Sequence, residues 1–143
     1  MSSLRLKIVL LLIAVLAVVR PPLQTEDAQA ISGPATIVVN GKPLTFTQKD
    51  GFNIRRARLT DRYGRVVGRS HLICFTISKY ERSCHGLYTF PRGSIRVAGP
   101  VLLSSYVLAV TGGTGLYNNV RGAMKVTPSG AQIRHRVFFQ LVG

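Results

Sequence analysis

Tyr106-Val-Leu-Ala-Val-Thr-Gly-Gly-Thr-Gly115-Leu-Tyr117 is the stretch on which the fold turns. Its glycine run has the form of a loop that cradles a dinucleotide pyrophosphate. Such a loop needs a helix whose N-terminus meets the phosphates, inside a strand–helix–strand unit. Only 28 residues follow Gly115, and they read as strand. No Gly-Lys-Ser/Thr follows either, so a Walker loop is excluded. The glycines read instead as a tight corner of a sheet, where the backbone needs φ > 0.

The flanking sequence extends the same pattern. Ser94 to Ala98 and Tyr106 to Thr111 are short strands, with Pro91-Arg-Gly93 as the turn before them. Upstream, Val66 to Ser78 and Arg82 to Phe90 are long strands around a short polar connection. Asp61-Arg-Tyr-Gly64 is a turn, and Phe52 to Thr60 is an arginine-rich strand after the Asp50-Gly51 turn. Ala35 to Asn40 and Pro43 to Lys49 read as two strands, with Asn40-Gly41 between them as a hairpin signal. Gly122 to Thr127 and Gln132 to Val142 finish the chain. After the first thirty residues no window carries a helical apolar stripe. Eight or nine short strands with regular turns predict an all-β sandwich or barrel of one domain.

The first thirty residues stand apart. Arg5 and Lys7 precede an unbroken apolar run from Ile8 to Val19, then a polar stretch ends in Ala28-Gln29-Ala30. This is the pattern of a secretory signal peptide. Twelve residues of helix span roughly 18 Å, short of a hydrocarbon core of about 30 Å, which argues against an uncleaved anchor. The expected division is a signal peptide over 1–30 and a barrel domain over 31–143. Export places the protein in a secreted, periplasmic or extracellular setting, where disulfides persist.

The block from Gly93 to Gly122 resembles the allene oxide cyclase and dirigent-protein barrel superfamily. There a G-x-I-x-V-x-G strand precedes an A-V-T-G-G-[ST]-G-x-[FY] turn and an x-x-G strand start. Here these are Gly93-Ser-Ile-Arg-Val-Ala-Gly99, Ala109-Val-Thr-Gly-Gly-Thr-Gly115-Leu-Tyr117 and Val120-Arg-Gly122. Leu72-Ile-Cys74 and Tyr88-Thr-Phe90 sit at similar relative places, and the likeness runs from about Asp61 to the C-terminus. It implies a single eight-stranded antiparallel β-barrel, often a homo-oligomer, with a largely apolar lumen. In the plant cyclases the lumen holds an unstable epoxide for ring closure, and dirigent members steer radical coupling or cyclisation. One departure is chemical. The plant cyclases carry a carboxylate and an asparagine on the first strand. Here Asn40 stands on that strand without an acid, and the acids beyond residue 30 are Asp50, Asp61 and Glu81, all at turns. The fold carries over better than the reaction.

Cys74 and Cys84 lie on successive strands. A hairpin centred on Lys79 sets them directly opposite each other, within reach of a disulfide. The alternative is a free Cys74 facing the lumen. Alternation puts Ser70, Leu72, Cys74, Tyr88 and Phe90 on one face, and Arg69, His71, Ile73, Phe75, His85 and Leu87 on the other. The resemblance makes the first face the lumen. On the last strand Ile133, His135, Val137, Phe139 and Leu141 share a face, opposite Arg134, Arg136, Phe138 and Gln140. The candidate lumen residues are therefore Leu72, Cys74, Tyr88, Phe90, Tyr106 and His135. His135 is either an acid, base or hydrogen-bonding group or a core histidine satisfied by a carbonyl. The aromatics would fill a small barrel with or without a ligand.

Charge is lopsided, at 19 Lys and Arg against 5 Asp and Glu and a formal net charge of +14. Scarce carboxylates argue against a calcium or magnesium cage, and the two cysteines and three histidines lack zinc-ligand spacing. No cofactor is indicated. Arg55, Arg56, Arg58, Arg62, Arg65 and Arg69 cluster within fifteen residues. Export, and the lack of an aromatic-interleaved platform, argue against nucleic acid. A basic outer wall suits anionic envelope polymers or lipids, or serves solubility alone. Two function classes stay open. One is an isomerase or cyclase, or dirigent-like guide of ring closure, whose lumen orients an apolar small molecule. The other is a non-catalytic ligand-binding or envelope-associated barrel.

Overall fold

A computed structural model describes residues 30–102, 104–130 and 134–143. Residues 1–29 of the expected signal peptide, and Ile133, therefore lie outside the described residues. Eight antiparallel strands close into a barrel in chain order: β1 Pro34–Lys49, β2 Phe52–Thr60, β3 Val66–Thr76, β4 Arg82–Phe90, β5 Gly93–Val101, β6 Tyr106–Gly115, β7 Arg121–Ser129 and β8 Arg134–Val142. β8 pairs back onto β1, so no sheet edge is left open.

One expectation fails at the first strand. Asn40-Gly41 is not a hairpin. β1 runs straight through it, and neither residue takes a positive φ. Asn40 pairs with Thr60 on one side and Arg136 on the other, and Gly41 pairs with Leu59 and His135. Barrel closure is the reason. The first half of β1 must hold β8 and the second half must hold β2, so a turn here would cost ladders on both sides.

The β3–β4 hairpin is centred on Lys79. Cys74 pairs with Cys84 and the two are joined as a disulfide, with Cα atoms 4.0 Å apart. Such a bond fits an oxidising environment outside the cytosol. The Asp61 turn is held by its own side chain: Oδ1 accepts from the Tyr63 and Arg65 amides at 2.9 Å, and Oδ2 from Arg65 Nε at 2.7 Å.

Alternation sends Leu59, Leu72, Cys74, Cys84, Tyr88, Ile95, Val97, Leu108, Met124, Val137 and Phe139 into the barrel, where all are buried. One end is filled. Phe90 lies between Phe139 and Tyr117, with ring centroids 6.2 Å and 5.7 Å away, and Val120 from the β6–β7 connection is fully buried. The glycine motif serves this closed end. β6 continues through it to Gly115, and a bulge leaves Thr111 as the extra residue opposite Arg96 and Val97. The bulge moves the inward phase from Leu108 and Val110 to Gly113, which pairs with inward-facing Ile95. A Cβ on Gly113 would collide with the carbonyl oxygens of Ser94 and Tyr117. Gly113→Ala should therefore lower stability by roughly 1–3 kcal/mol, as overpacking against backbone does. Urea unfolding checks this, and an unchanged midpoint would refute the close-approach account.

Candidate site in the lumen

The opposite end of the barrel is not filled. A cavity of about 460 Å³ opens there, within the span of about 300–1,000 Å³ usual for small-molecule sites. Its wall includes Leu59, Leu72, Tyr88, Val126 and Val137, with Gly41, Ala57 and Ser70 leaving room between them. Tyr88 sets its depth. The ring packs edge-on against Phe139 with centroids 5.2 Å apart, on the side away from the cavity it lines.

Of the six candidate lumen residues, Leu72, Tyr88, Tyr106 and His135 meet on this one wall. Cys74 and Phe90 are also buried inside the barrel but do not line the cavity. Cys74 is committed to its disulfide, and Phe90 packs the closed end.

The wall contains a residue that charge patterning placed outside. Arg55 was grouped with the basic outer wall, yet it faces inward. On β2 the inward positions alternate as Asn53, Arg55, Ala57 and Leu59, and only Arg56 and Arg58 of the neighbouring arginines point out. Buried Leu59 carried the signal, because a strand residue four positions away shares its face. A second bulge explains the mouth. Between Pro43 and Thr45 the β1 register shifts, so Phe46 rather than Thr45 faces Arg55. The Arg55 guanidinium carbon lies 5.4 Å from the Phe46 ring centroid.

The polar groups are unusual for what they lack. Arg55 Nε and His135 Nδ1 are buried without a hydrogen-bond partner among the described residues. Among the described residues no carboxylate lines the cavity. Burial, with Arg55 adding to it, holds the His135 imidazole below its ordinary 6.5, so it is neutral at pH 7. Burial pushes the Tyr88 phenol far upward, with Tyr106 adding to the shift. Burial also raises Tyr106, and Arg55 partly offsets this. The site thus offers two neutral phenols, a neutral imidazole and one fixed cation around an apolar floor. It can orient an apolar molecule, keep water from it and stabilise negative charge developing on it.

Outside, Lys42, Arg58 and Arg69 lie directly opposite one another across β1, β2 and β3. Arg134 and Arg136 share an outer groove with Lys42 and Arg58.

No family model matches the chain, and no curated protein matches it. Solved structures do match. A pyocyanin demethylase aligns at TM-score 0.66 and 22% identity over 76% of this chain and 100% of its own. A Diels–Alderase from Streptomyces koyangensis aligns at TM-score 0.62 and 15% identity over 74% of this chain. The alignment spans 63% of that enzyme, so the present chain accounts for less than two thirds of its length. A pterocarpan synthase dirigent protein aligns at TM-score 0.59 and 15% identity over 76% of this chain and 92% of its own. The chain has the allene oxide cyclase and dirigent-like barrel fold.

His135 also gives a stability prediction. The unfolded chain takes up a proton near pH 6.5, while the folded chain resists until lower pH. The His135 contribution therefore falls as pH drops through 6.5, and the loss is complete once the folded imidazole is also charged. Thermal melts at pH 8 and pH 5 should show a smaller acid-side drop in His135→Gln than in the parent. An equal drop would place the pH dependence elsewhere.

Proposed function

We propose that the protein is an exported barrel that binds an apolar small molecule in its lumen and guides its ring closure. One observation carries the reading: the barrel is packed solid at one end and hollow at the other, and Tyr88, Tyr106, His135 and Arg55 converge on the hollow. A barrel that needed only stability would fill that space with side chains. The similar structures, a Diels–Alderase and a pterocarpan synthase dirigent protein among them, favour ring-forming chemistry over storage.

The mechanism follows from what the wall can do. Leu72, Val126 and Val137 fold the ligand against the Tyr88 floor, which holds reacting atoms close and costs them freedom before reaction. The phenols and imidazole donate or accept hydrogen bonds without a change of charge. Arg55 stabilises an oxygen that gains negative charge as the ring closes. No carboxylate is required, which suits a wall without one. The row of Lys42, Arg58 and Arg69 supports a second contact, with anionic polymers or lipids of the cell envelope. Like charges directly opposite one another weaken a sheet unless a counter-charge covers them.

Leu72→Trp tests the lumen. The added volume should abolish binding of the neutral fluorescent probe N-phenylnaphthylamine. Because the cavity can accept part of the indole, the stability cost should fall below the roughly 1–3 kcal/mol of overpacking a full core. Arg134→Ala, on the outer wall, should leave probe binding unchanged. Intact binding in Leu72→Trp would reject the lumen as the site. Export has its own test: N-terminal sequencing of secreted protein should begin at Ile31, and a full-length chain retained in the membrane would sink that part of the proposal.

A further inference from the structure

The lumen does not end at its apolar wall. Arg55, Tyr106 and His135 also line a second cavity of about 380 Å³ at the mouth, together with Lys79 and Arg82. Three cationic side chains therefore surround the way in, and among the described residues no carboxylate lines either space. Among the described residues the one ion pair is Asp61–Arg65, which lines neither cavity. Across the ladders Arg55 sits between Phe46 and Leu72, and His135 between Gly41 and Pro128. None of these four side chains can neutralise a charge or accept from Arg55 Nε. A buried guanidinium donor without a partner is costly to keep. The cost is offset if the ligand supplies the acceptor.

Resting on the lumen reading above, we infer that the ligand is an amphiphile: an apolar ring or chain seated over Tyr88, and one anionic oxygen group held at the mouth by Arg55. A carboxylate matches the planar fork of the guanidinium through two parallel hydrogen bonds. His135 Nδ1 stands on the same wall, free to donate or accept once the head group fixes its tautomer. Lys79 and Arg82 are placed to draw such a molecule toward the opening before it is bound. The polarity of entry follows: the apolar end goes in first, and the charged end stays at the rim. A reacting bond near the middle of the ligand would then be held at a fixed height above Tyr88.

A matched pair of probes separates this from the lumen reading itself. Dansyl-aminoundecanoic acid and its methyl ester share one apolar body and differ in one charge. On the unaltered protein the acid should bind about tenfold tighter than the ester, the scale of one charge-assisted hydrogen bond at a partly open site. Arg55→Met keeps the length of the stem and removes the charge. It should erase the preference, bringing acid and ester to within about twofold of each other. Arg58→Met, on the outer wall of the same strand, should leave the preference intact. Equal affinities in the unaltered protein would overturn the inference while the lumen reading stands. So would a preference that survives Arg55→Met or disappears in Arg58→Met. If neither probe binds the unaltered protein, the lumen reading falls and takes this one with it. The acid–ester comparison needs no variant, so it decides the matter even if Arg55→Met fails to fold.

Discussion

The pairing of Cys74 with Cys84 fixes which face of the sheet looks inward. Both residues are buried and opposite, so β3 and β4 have one permitted register. A slip of one residue would turn Leu72, Tyr88 and Phe90 out to solvent and bring Arg69, His71 and His85 in. From this hairpin the parity passes to each neighbour by pairing: Leu72 sets Arg55 inward on β2, and Tyr88 sets Ile95 inward on β5. Closure through β8 and β1 makes the chain of constraints circular. The lumen is therefore specified as a whole rather than strand by strand.

Three register shifts interrupt the ladders of the described residues, at Pro43/Thr45, at Leu59/Thr60 and at Arg96/Val97, and the first and last each serve one end of the barrel. At Thr111 the phase shift brings a glycine to the inner face, and the backbone closes down over the filled end. Near Leu44 the shift brings Phe46 round to face Arg55 at the open end. Without the shift at Thr111 the end cap could not approach. Without the shift near Leu44, Thr45 would stand opposite Arg55, and the half-exposed Phe46 would turn away from the mouth. The contrast between a solid end and a hollow end thus draws on two of the local irregularities in the ladder.

Much of this was legible in the residues. Phe52–Thr60 and Arg82–Phe90 are strands with the bounds that their turn residues set, and the Lys79 centre gives the register of the cysteines. Those features are local: turn chemistry, alternation and one covalent constraint. Asn40-Gly41 misled because a turn signal is only a preference, and pairing on both sides of β1 outweighed it. Arg55 was obscured by its company. Read as one member of a run of arginines it belongs outside, but read by parity with Leu59 it belongs inside. The cavity itself is a difference between filled and available volume, and no single strand records it.

The inward arginine changes how the whole charge of the chain is understood. A strongly basic protein with few acids can spread its cations over solvent at little cost, and most of the arginines here are so placed. Arg55 cannot be explained that way. Its Nε is cut off from water, its stem lies between Phe46 and Leu72, and it depresses the proton affinity of His135 nearby. Methionine or leucine at this position would extend the apolar wall without that penalty. The scarcity of acids then acquires a second meaning. A carboxylate on the wall would neutralise Arg55 and compete with any anionic ligand for it. Its absence leaves the cation available to whatever enters the hollow end of the barrel.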